Sequence, residues 1–251
     1  LITPHLGAST HEASEGVSSG ICRQITDFLL HEKLSNPINM PISDLSELKQ
    51  IAPLLDLAKI LGKIGAQLVE SPIQSISVEC YGDIEDSKPL TFSYLIGILQ
   101  DMTDTRINFI NAALIAEERG ISVSNSLNSE PVSFSNLITT CICTKEGDIK
   151  LSGSVFGDQH YRVVSVAGYE LDFRPEGNML FLQNKDVPGV IGKVGKILSD
   201  AKINIGEYLL SRTISDGKAF SIIKVDEKIN IKLIDQLIEV DEILNVKQLC
   251  I

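Results

Sequence analysis

The sequence predicts an α+β protein, an α/β sandwich in which a domain of helices on a small sheet precedes a domain of order βαββαβ. Its 251 residues leave room for two domains with separate cores. Apolar residues recur at helical spacing in some segments and alternate with polar residues in others. After residue 177 these segments follow one another as strand, helix, strand, strand, helix and strand, the order of a ferredoxin-like fold.

The first long helix is predicted to follow a turn at Pro4. Ser9 and Glu12 have the spacing of a capping box, in which two side chains satisfy backbone N–H groups at a helix start. Apolar residues at helical spacing then form one face, at Val17, Ile21, Ile25 and Phe28. Residues 36–41 contain prolines and asparagines and predict an extended linker after this helix.

The middle domain, residues 36–174, is predicted to pack helices on a small sheet. A helix is expected within 43–70, where Pro53 is tolerated only as a break or in the first turn. Strands are expected at 75–82, 138–144, 149–156, 161–166 and 169–173, and further helices at 92–102 and 107–119. Turn residues at 145–148 and at Ala167-Gly168 predict two hairpins.

Residues 178–251 make up the predicted βαββαβ unit. Its strands are expected at 179–182, 203–213, 219–225 and 246–251, and its helices at 190–201 and 231–238. The loop after the first strand reads Asp186-Val187-Pro188-Gly189. This loop precedes a helix with one apolar face, so it joins a strand end to a helix start.

The 186–189 loop combines two kinds of charge. Backbone N–H groups at a helix start carry positive partial charge and suit a carboxylate, whereas Asp186 suits an ammonium group. An amino acid carries both groups, and the loop therefore predicts amino-acid binding. By itself, Asp186 is more typical of a turn or a helix N-cap, and that alternative stays open.

Three glycines follow one another at intervals of three, at Gly189, Gly192 and Gly195. The dinucleotide-binding fingerprint is GxGxxG, so this spacing argues against a nucleotide site. Small residues at these positions would also allow the helix to pack closely on the sheet. Close packing is thus a second interpretation beside ligand binding.

The composition is acidic, with 22 Lys and Arg against 33 Asp and Glu and a formal net charge of −11. No basic block interrupts this balance, which argues against binding to nucleic acid or to an anionic membrane surface. No apolar run approaches the length of a membrane-spanning helix, and no signal peptide is visible. The sequence therefore predicts a cytoplasmic protein.

The five cysteines support a reducing compartment, because they are odd in number and contain no CxxC pair. Cys141 and Cys143 are expected on one face of a strand. No histidine lies near them in the sequence, so we interpret them as small buried side chains rather than metal ligands. The sequence predicts no metal site.

The segment Thr3-Pro4-His5-Leu6-Gly7-Ala8-Ser9-Thr10 resembles the one that carries the catalytic histidine in D-3-phosphoglycerate dehydrogenases and related D-2-hydroxyacid dehydrogenases. The resemblance implies that residues 1–35 end a catalytic region and that His5 is the catalytic base. It also implies NAD as cofactor, bound by a domain upstream of Leu1. Without the resemblance, a lone histidine is usually structural, since nothing in the sequence pairs with it.

The middle domain resembles in position the intervening domain of the long form of these dehydrogenases. That resemblance implies a regulatory site for 3-phosphoglycerate or a phosphate-like anion, with Arg162, Arg174 and Lys224 as its basic residues. An arginine can bind phosphate bidentately. A charged residue on a strand is nevertheless more often solvated surface.

The Asp-x-Pro-Gly loop, Asn204-Ile205 and the βαββαβ order together resemble an ACT domain. The resemblance implies that L-serine binds between two such domains from different subunits, so a homodimer or homotetramer is expected. Asp186 would bind the ammonium group, Asn204 would reach the ligand across the interface, and Asn184 would add a hydrogen bond. The carboxylate would bind the backbone of Val187, Pro188, Gly189 and Val190. Asn204 is also a common type of loop residue.

These resemblances imply the regulatory half of an enzyme that oxidises 3-phospho-D-glycerate to 3-phosphohydroxypyruvate with NAD, in L-serine biosynthesis under feedback inhibition by L-serine. The 251 residues alone are expected to be inactive. The alternative is a stand-alone amino-acid sensor, or the ACT-bearing part of another enzyme such as a serine dehydratase. The Thr3 to Thr10 motif argues against the alternative, because a sensor has no use for it.

Overall fold

The structure is a computed structural model that describes residues 7, 9–31, 35, 45–130, 132–157, 159–212 and 217–251, without the side chains of 45–50. The chain divides into two compact units, Leu1–Ala52 and Pro53–Ile251. The described helices are α1 His11–His31, α2 Leu45–Leu68, α3 Lys88–Leu99, α4 Ala112–Glu118, α5 Val190–Asp200 and α6 Ile231–Ile238. The described strands are β1 Ile73–Gly82, β2 Ser122–Asn128, β3 Asn136–Thr144, β4 Asp148–Phe156, β5 His160–Val166, β6 Tyr169–Phe173, β7 Asn178–Lys185, β8 Ile205–Arg212, β9 Lys218–Val225 and β10 Ile243–Cys250.

Helix α1 begins one residue later than the capping box predicts. Thr10 is its N-cap, because Ala13 N–H donates to Thr10 Oγ1 at 3.2 Å and Ser14 N–H donates to Thr10 O at 3.0 Å. The predicted apolar face is present, but none of the described α1 residues is buried. The predicted linker at 36–41 lies outside the described residues.

Helix α2 runs without interruption through Pro53, so the expected break at this proline is wrong. A proline inside a helix removes one backbone hydrogen bond and costs about 3 kcal/mol. Burial of the following apolar face offsets that cost: Leu57, Leu61 and Ile64 are completely buried. Tertiary packing therefore overrides the local preference.

The first sheet has six strands in the order β2-β1-β3-β4-β5-β6, in which β1 and β2 are parallel and the other neighbours antiparallel. Strand β2 was not predicted, because its sequence SVSNSLN is polar and lies exposed at the sheet edge. The hairpin expected at Ala167-Gly168 is confirmed, with φ +51° and +85° at its two central residues. Helix α4 is shorter than predicted and begins at Ala112.

Two glycines bring α2 and α3 into backbone contact. A Cβ placed on Gly62 would lie 2.3 Å from Tyr94 O, and one on Gly97 would lie 2.1 Å from Lys59 O. Side chains of this size would hold the helix backbones apart, so glycine is required at both positions by close approach.

The ferredoxin-like unit is confirmed, and with it the predicted fold class. Its sheet has the order β10-β7-β9-β8, with every neighbouring pair antiparallel. Helices α5 and α6 pack on this sheet, and their side chains Val190, Val194, Leu198, Leu233 and Leu237 join the buried core. In the described part of the chain, no helix is long and apolar enough to span a membrane.

Within the Pro53–Ile251 unit, aromatic side chains join the two sheets. Phe173 of β6 contacts Phe181 of β7 edge to face, with ring centroids 5.9 Å apart. Tyr169 of β6 stacks on Phe220 of β9 at 5.3 Å. A second connection is polar: Gln67 Nε2 donates to Cys250 O at 3.3 Å, and Cys250 N–H donates to Gln67 Oε1 at 3.0 Å. Helix α2 is thereby tied to the edge strand β10.

Candidate functional site

The loop between β7 and α5 takes its shape from Gly189, which has φ +97° and ψ −15°. Residues with a Cβ rarely adopt this left-handed backbone, so the conformation itself requires glycine. No described atom lies within 4 Å of a Cβ placed on Gly189, Gly192 or Gly195. The interpretation that these glycines serve close packing of α5 on its sheet is therefore wrong.

The donors that this loop can offer to a carboxylate are fewer than the sequence implied. Val187 N–H donates to Lys185 O at 3.0 Å, and Pro188 has no N–H group. Gly189 and Val190 remain, since N–H groups at a helix start have no intrahelical acceptor. The predicted contact between the ligand carboxylate and the backbone is therefore limited to the N–H groups of Gly189 and Val190.

Asp186 lies at the mouth of the loop, where its side chain is 32% exposed. Its N–H donates to Gly217 O at 2.8 Å, which ties the loop to the start of β9. Its carboxylate pairs with Arg212, with Oδ1 3.5 Å from Nε. The side chain predicted to bind an ammonium group therefore already faces a cation.

Arg212 is a residue that the sequence did not single out. It ends β8 and lies beside Ala219 of β9, whose other neighbour is Asn184 of β7. Strand β9 pairs with β8 on one side and with β7 on the other, and this pairing brings Arg212 to the loop. Its sequence neighbours form no motif, so no local signal would have found it.

Asn184 is buried, with 3% of its surface exposed. Its Nδ2 donates to Lys185 O at 2.7 Å, whereas its Oδ1 has no hydrogen-bond partner among the described residues. A buried carbonyl oxygen without a donor costs about 1 to 3 kcal/mol. A ligand that donates a hydrogen bond to this oxygen would remove that cost.

Asn204 lies at the other end of α5 from Asp186. Its Nδ2 donates to Asp226 Oδ2 at 2.8 Å. It borders a shallow cavity of about 390 Å³ that Gly195 and Ser199 also line. Because a helix rises about 1.5 Å per residue, the two ends of α5 are roughly 16 Å apart. One small molecule cannot contact Asp186 and Asn204 of the same chain.

The three basic residues of the predicted anion site all pair with carboxylates. Arg162 Nε lies 2.6 Å from Asp172 Oδ1, and its Nη2 donates to Asp172 O at 3.1 Å. The hydrogen bond that Arg162 donates to Asp172 is the largest cause of the raised pKa of Arg162, and the charge of Glu207 raises it further. Arg162 is therefore held as a cation by two nearby carboxylates.

The other two basic residues have partners of their own. Arg174 Nε lies 3.0 Å from Glu176 Oε2, and Lys224 Nζ lies 3.3 Å from Glu207 Oε2. Glu207, the partner of Lys224, also raises the pKa of Arg162 through its charge. An anion would have to compete with that carboxylate.

His5 lies outside the described residues, and the structure says nothing of its surroundings. Cys141 and Cys143 lie side by side on one face of β3 as predicted, but they are only partly buried. Their Sγ atoms are 3.9 Å apart. The fold also places Asp148 of β4 beside them, which the sequence analysis did not anticipate.

Comparisons with known proteins identify relatives over most of the chain. The family model described as D-3-phosphoglycerate dehydrogenase intervening domain matches residues 50–167. The D-3-phosphoglycerate dehydrogenase of Bacillus subtilis strain 168 is 30% identical over 249 residues, which are 98% of this chain and 47% of that protein. The enzyme of that name from Methanocaldococcus jannaschii is 29% identical over 246 residues, 97% of this chain and 47% of that protein. The chain thus spans less than half the length of these relatives.

Among solved structures, the ACT domain of a GTP pyrophosphokinase from Chlorobium tepidum aligns with 30% of this chain and 97% of its own. The sequence identity is 19% and the TM-score is 0.25.

Fold and loop together define the class: an α+β protein of helices on a six-stranded sheet, with a ferredoxin-like unit that carries an exposed charged loop. Its sequence gives the relatives. Residues 50–167 match the model of the D-3-phosphoglycerate dehydrogenase intervening domain, and most of the chain is similar to part of proteins with that enzyme name.

Proposed function

We propose that this chain is the regulatory part of a D-3-phosphoglycerate dehydrogenase and that L-serine binds its ferredoxin-like unit. The match to the intervening-domain model and the similarity to D-3-phosphoglycerate dehydrogenases support the first half of this proposal. The observation that carries the second half is the buried Asn184 Oδ1, which no donor of the described residues reaches, two residues before the exposed carboxylate of Asp186. A ligand with several N–H or O–H donors would satisfy both.

L-serine has the groups that this site requires. Its ammonium group binds Asp186 in place of Arg212, and its carboxylate accepts hydrogen bonds from the N–H groups of Gly189 and Val190. Its hydroxyl or ammonium group supplies the donor that Asn184 Oδ1 lacks. A zwitterion can therefore use both the carboxylate of Asp186 and the N–H groups of the helix start. A simple anion or cation could use only one of the two.

The site is completed by a second copy of the chain. Asn204 cannot reach the Asp186 of its own chain, because the length of α5 separates them. In a two-fold dimer, the α5 faces of two copies would bring Asn204 of one to the loop of the other. Val187 and Ile191 are half exposed, and no described atom lies near Gly192 or Gly195, so this face is open to a partner.

The catalytic chemistry proposed for the whole enzyme is oxidation of 3-phospho-D-glycerate to 3-phosphohydroxypyruvate, in L-serine biosynthesis. NAD accepts the hydride, and His5 takes the hydroxyl proton as general base. These 251 residues contain no GxGxxG sequence, so we expect no NADH formation from 3-phosphoglycerate with this chain alone.

The second proposed site, for 3-phosphoglycerate or another phosphate-like anion, uses Arg162, Arg174 and Lys224. Glu207 pairs with Lys224 and its charge raises the pKa of Arg162, which supports a shared site. Binding of phosphate there would displace Glu207 or Asp172 from the basic side chains. Its affinity should therefore be modest and should fall with added salt.

Calorimetric titration of the purified chain with L-serine tests the proposal. Serine has about seven non-hydrogen atoms, which at about 1.5 kcal/mol each limit its binding free energy to roughly 10 kcal/mol. A Kd in the micromolar to millimolar range is expected, because micromolar binding requires about 8 kcal/mol. L-alanine, which lacks the hydroxyl group, and D-serine serve as controls. Absence of heat with L-serine at millimolar concentration would refute binding at this domain.

Sedimentation of the chain with and without L-serine tests the shared site. A homodimer or larger assembly is expected in the presence of serine. Asn204→Ala should lower the affinity for L-serine and leave the mass of the assembly unchanged. The reason is that Asn204 contacts the ligand rather than holding the subunits together. A serine complex that sediments as a monomer at every concentration would contradict the shared site.

A further inference from the structure

Three potential metal ligands meet on the first sheet, away from both proposed sites. The side-chain donor atoms of Cys141, Cys143 and Asp148 all lie within 4.8 Å of one another. Cys141 and Cys143 share a face of β3 because side chains alternate along a strand. Asp148 begins β4 directly opposite Cys143.

We propose that Cys141, Cys143 and Asp148 bind a thiophilic divalent cation such as Zn²⁺, with a water molecule as the fourth ligand. The spacing of the sulfur atoms supports this. Two Zn–S bonds of about 2.3 Å at a tetrahedral angle place their sulfur atoms about 3.8 Å apart. The two Sγ atoms are 3.9 Å apart in the structure, so binding requires almost no rearrangement of the thiols.

A tight turn holds the third ligand in position. Thr144 N–H and Thr144 Oγ1 both donate to Gly147 O, at 3.1 and 2.9 Å. Glu146 N–H in turn donates to Thr144 Oγ1 at 3.2 Å. These bonds fix the three-residue connection between β3 and β4, and Asp148 follows it directly opposite Cys143. Ligands on two paired strands are better positioned than ligands on separate loops.

The charges around the site are balanced when a metal is bound. Two thiolates and one carboxylate around a divalent cation leave a net charge of −1. Lys150 lies opposite Cys141 on β4 and offsets that charge. Burial and the neighbouring Cys143 raise the pKa of Cys141 to about 11, so the metal must displace a proton, which lowers its apparent affinity.

A disulfide between the same cysteines is disfavoured by the strand. Residues two apart on a strand have Cα atoms about 6.6 Å apart, near the upper end of the disulfide range, and their Cβ atoms point the same way. Metal binding needs neither a shorter Cα distance nor a change in direction. A bound cation would join β3 to β4 and add RT ln(1 + [L]/Kd) to the stability of this sheet.

The test is titration of the reduced full chain with Co²⁺, followed by displacement with Zn²⁺. One equivalent of Co²⁺ should produce a thiolate-to-cobalt charge-transfer band, and Zn²⁺ should abolish it. Cys141→Ser and Cys143→Ser should each weaken binding at least ~10-fold, as loss of even an outer metal contact commonly does. Asp148→Asn should weaken it without removing the sulfur band. Cys22→Ser and Cys250→Ser are matched controls that should leave the titration unchanged.

A thermal-unfolding measurement separates the site from a folding defect. Zn²⁺ should raise the Tm of the wild-type chain and of Cys22→Ser, but not that of Cys143→Ser. The proposal is overturned if no sulfur band forms, or if the band persists in the variant that lacks both Cys141 and Cys143. It is also overturned if the metal-free chain readily closes a Cys141–Cys143 disulfide that Zn²⁺ does not prevent.

Discussion

Replacing Gly97 with alanine is expected to lower the free energy of unfolding by about 3 kcal/mol, the upper part of the range for overpacking. The added Cβ would lie 2.1 Å from Lys59 O and 2.9 Å from the Lys59 carbonyl carbon. Both are backbone atoms of α2 and cannot rotate away. Helices α2 and α3 would therefore have to separate, which disturbs the core beneath them. Urea unfolding followed by circular dichroism measures the change.

Gly195→Ala in α5 is the matched control for this prediction. No described atom lies within 4 Å of a Cβ at Gly195, so alanine meets no obstacle there. Since glycine is about 1 kcal/mol less favourable than alanine inside a helix, this variant should be slightly more stable than wild type. If the free energy of unfolding of Gly97→Ala equalled that of Gly195→Ala, the backbone contact between α2 and α3 at Gly97 would be contradicted.

Replacing Asp186 with asparagine is expected to weaken L-serine binding by about 1.5 to 3 kcal/mol, the range for hydrogen bonds to charged groups. The substitution keeps the shape of the side chain but removes the charge that faces the ammonium group. This corresponds to a roughly 10- to 150-fold rise in Kd. Calorimetry measures it directly, and Asp235→Asn, at an exposed position of α6, is the control that should change nothing.

Arg212→Met adds information about the same site. If Arg212 only competes with the ligand for Asp186, its loss should strengthen L-serine binding. The expected gain in binding free energy is up to about 1 kcal/mol, the usual contribution of an exposed ion pair. A loss of affinity as large as that of Asp186→Asn would instead mean that the guanidinium binds the serine carboxylate. An unchanged affinity in Asp186→Asn would remove Asp186 from the site altogether.

The contacts between the two sheets provide a physical route from the proposed serine site to the middle domain. Tyr169 and Phe173 of β6 pack against Phe220 and Phe181 of the ferredoxin-like sheet. Lys247 of β10 also pairs with Glu70 near the end of α2, at 2.7 Å, and donates to Leu68 O. A change in the register or twist of that sheet would thus act directly on α2 and β6.

The local features of the fold were predictable from the sequence. The hairpin at Ala167-Gly168 follows from a glycine, which tolerates positive φ, between two strand-like segments. The order of the last domain follows from the alternation and spacing of its apolar residues. Strand β2 and the continuous helix through Pro53 were not predictable in this way. Both go against local preference, and both exist because of what packs or pairs beside them.

The sequence alone determined which residues stand on one strand face and which loop combines a carboxylate with a helix start. It determined these because strand alternation, turn chemistry and helix caps depend on neighbours within a few positions. Only the tertiary structure decided that Asp186 faces Arg212 and that Asp148 joins Cys141 and Cys143. Strand pairing sets those distances, and pairing brings together residues whose separation along the chain carries no local signal.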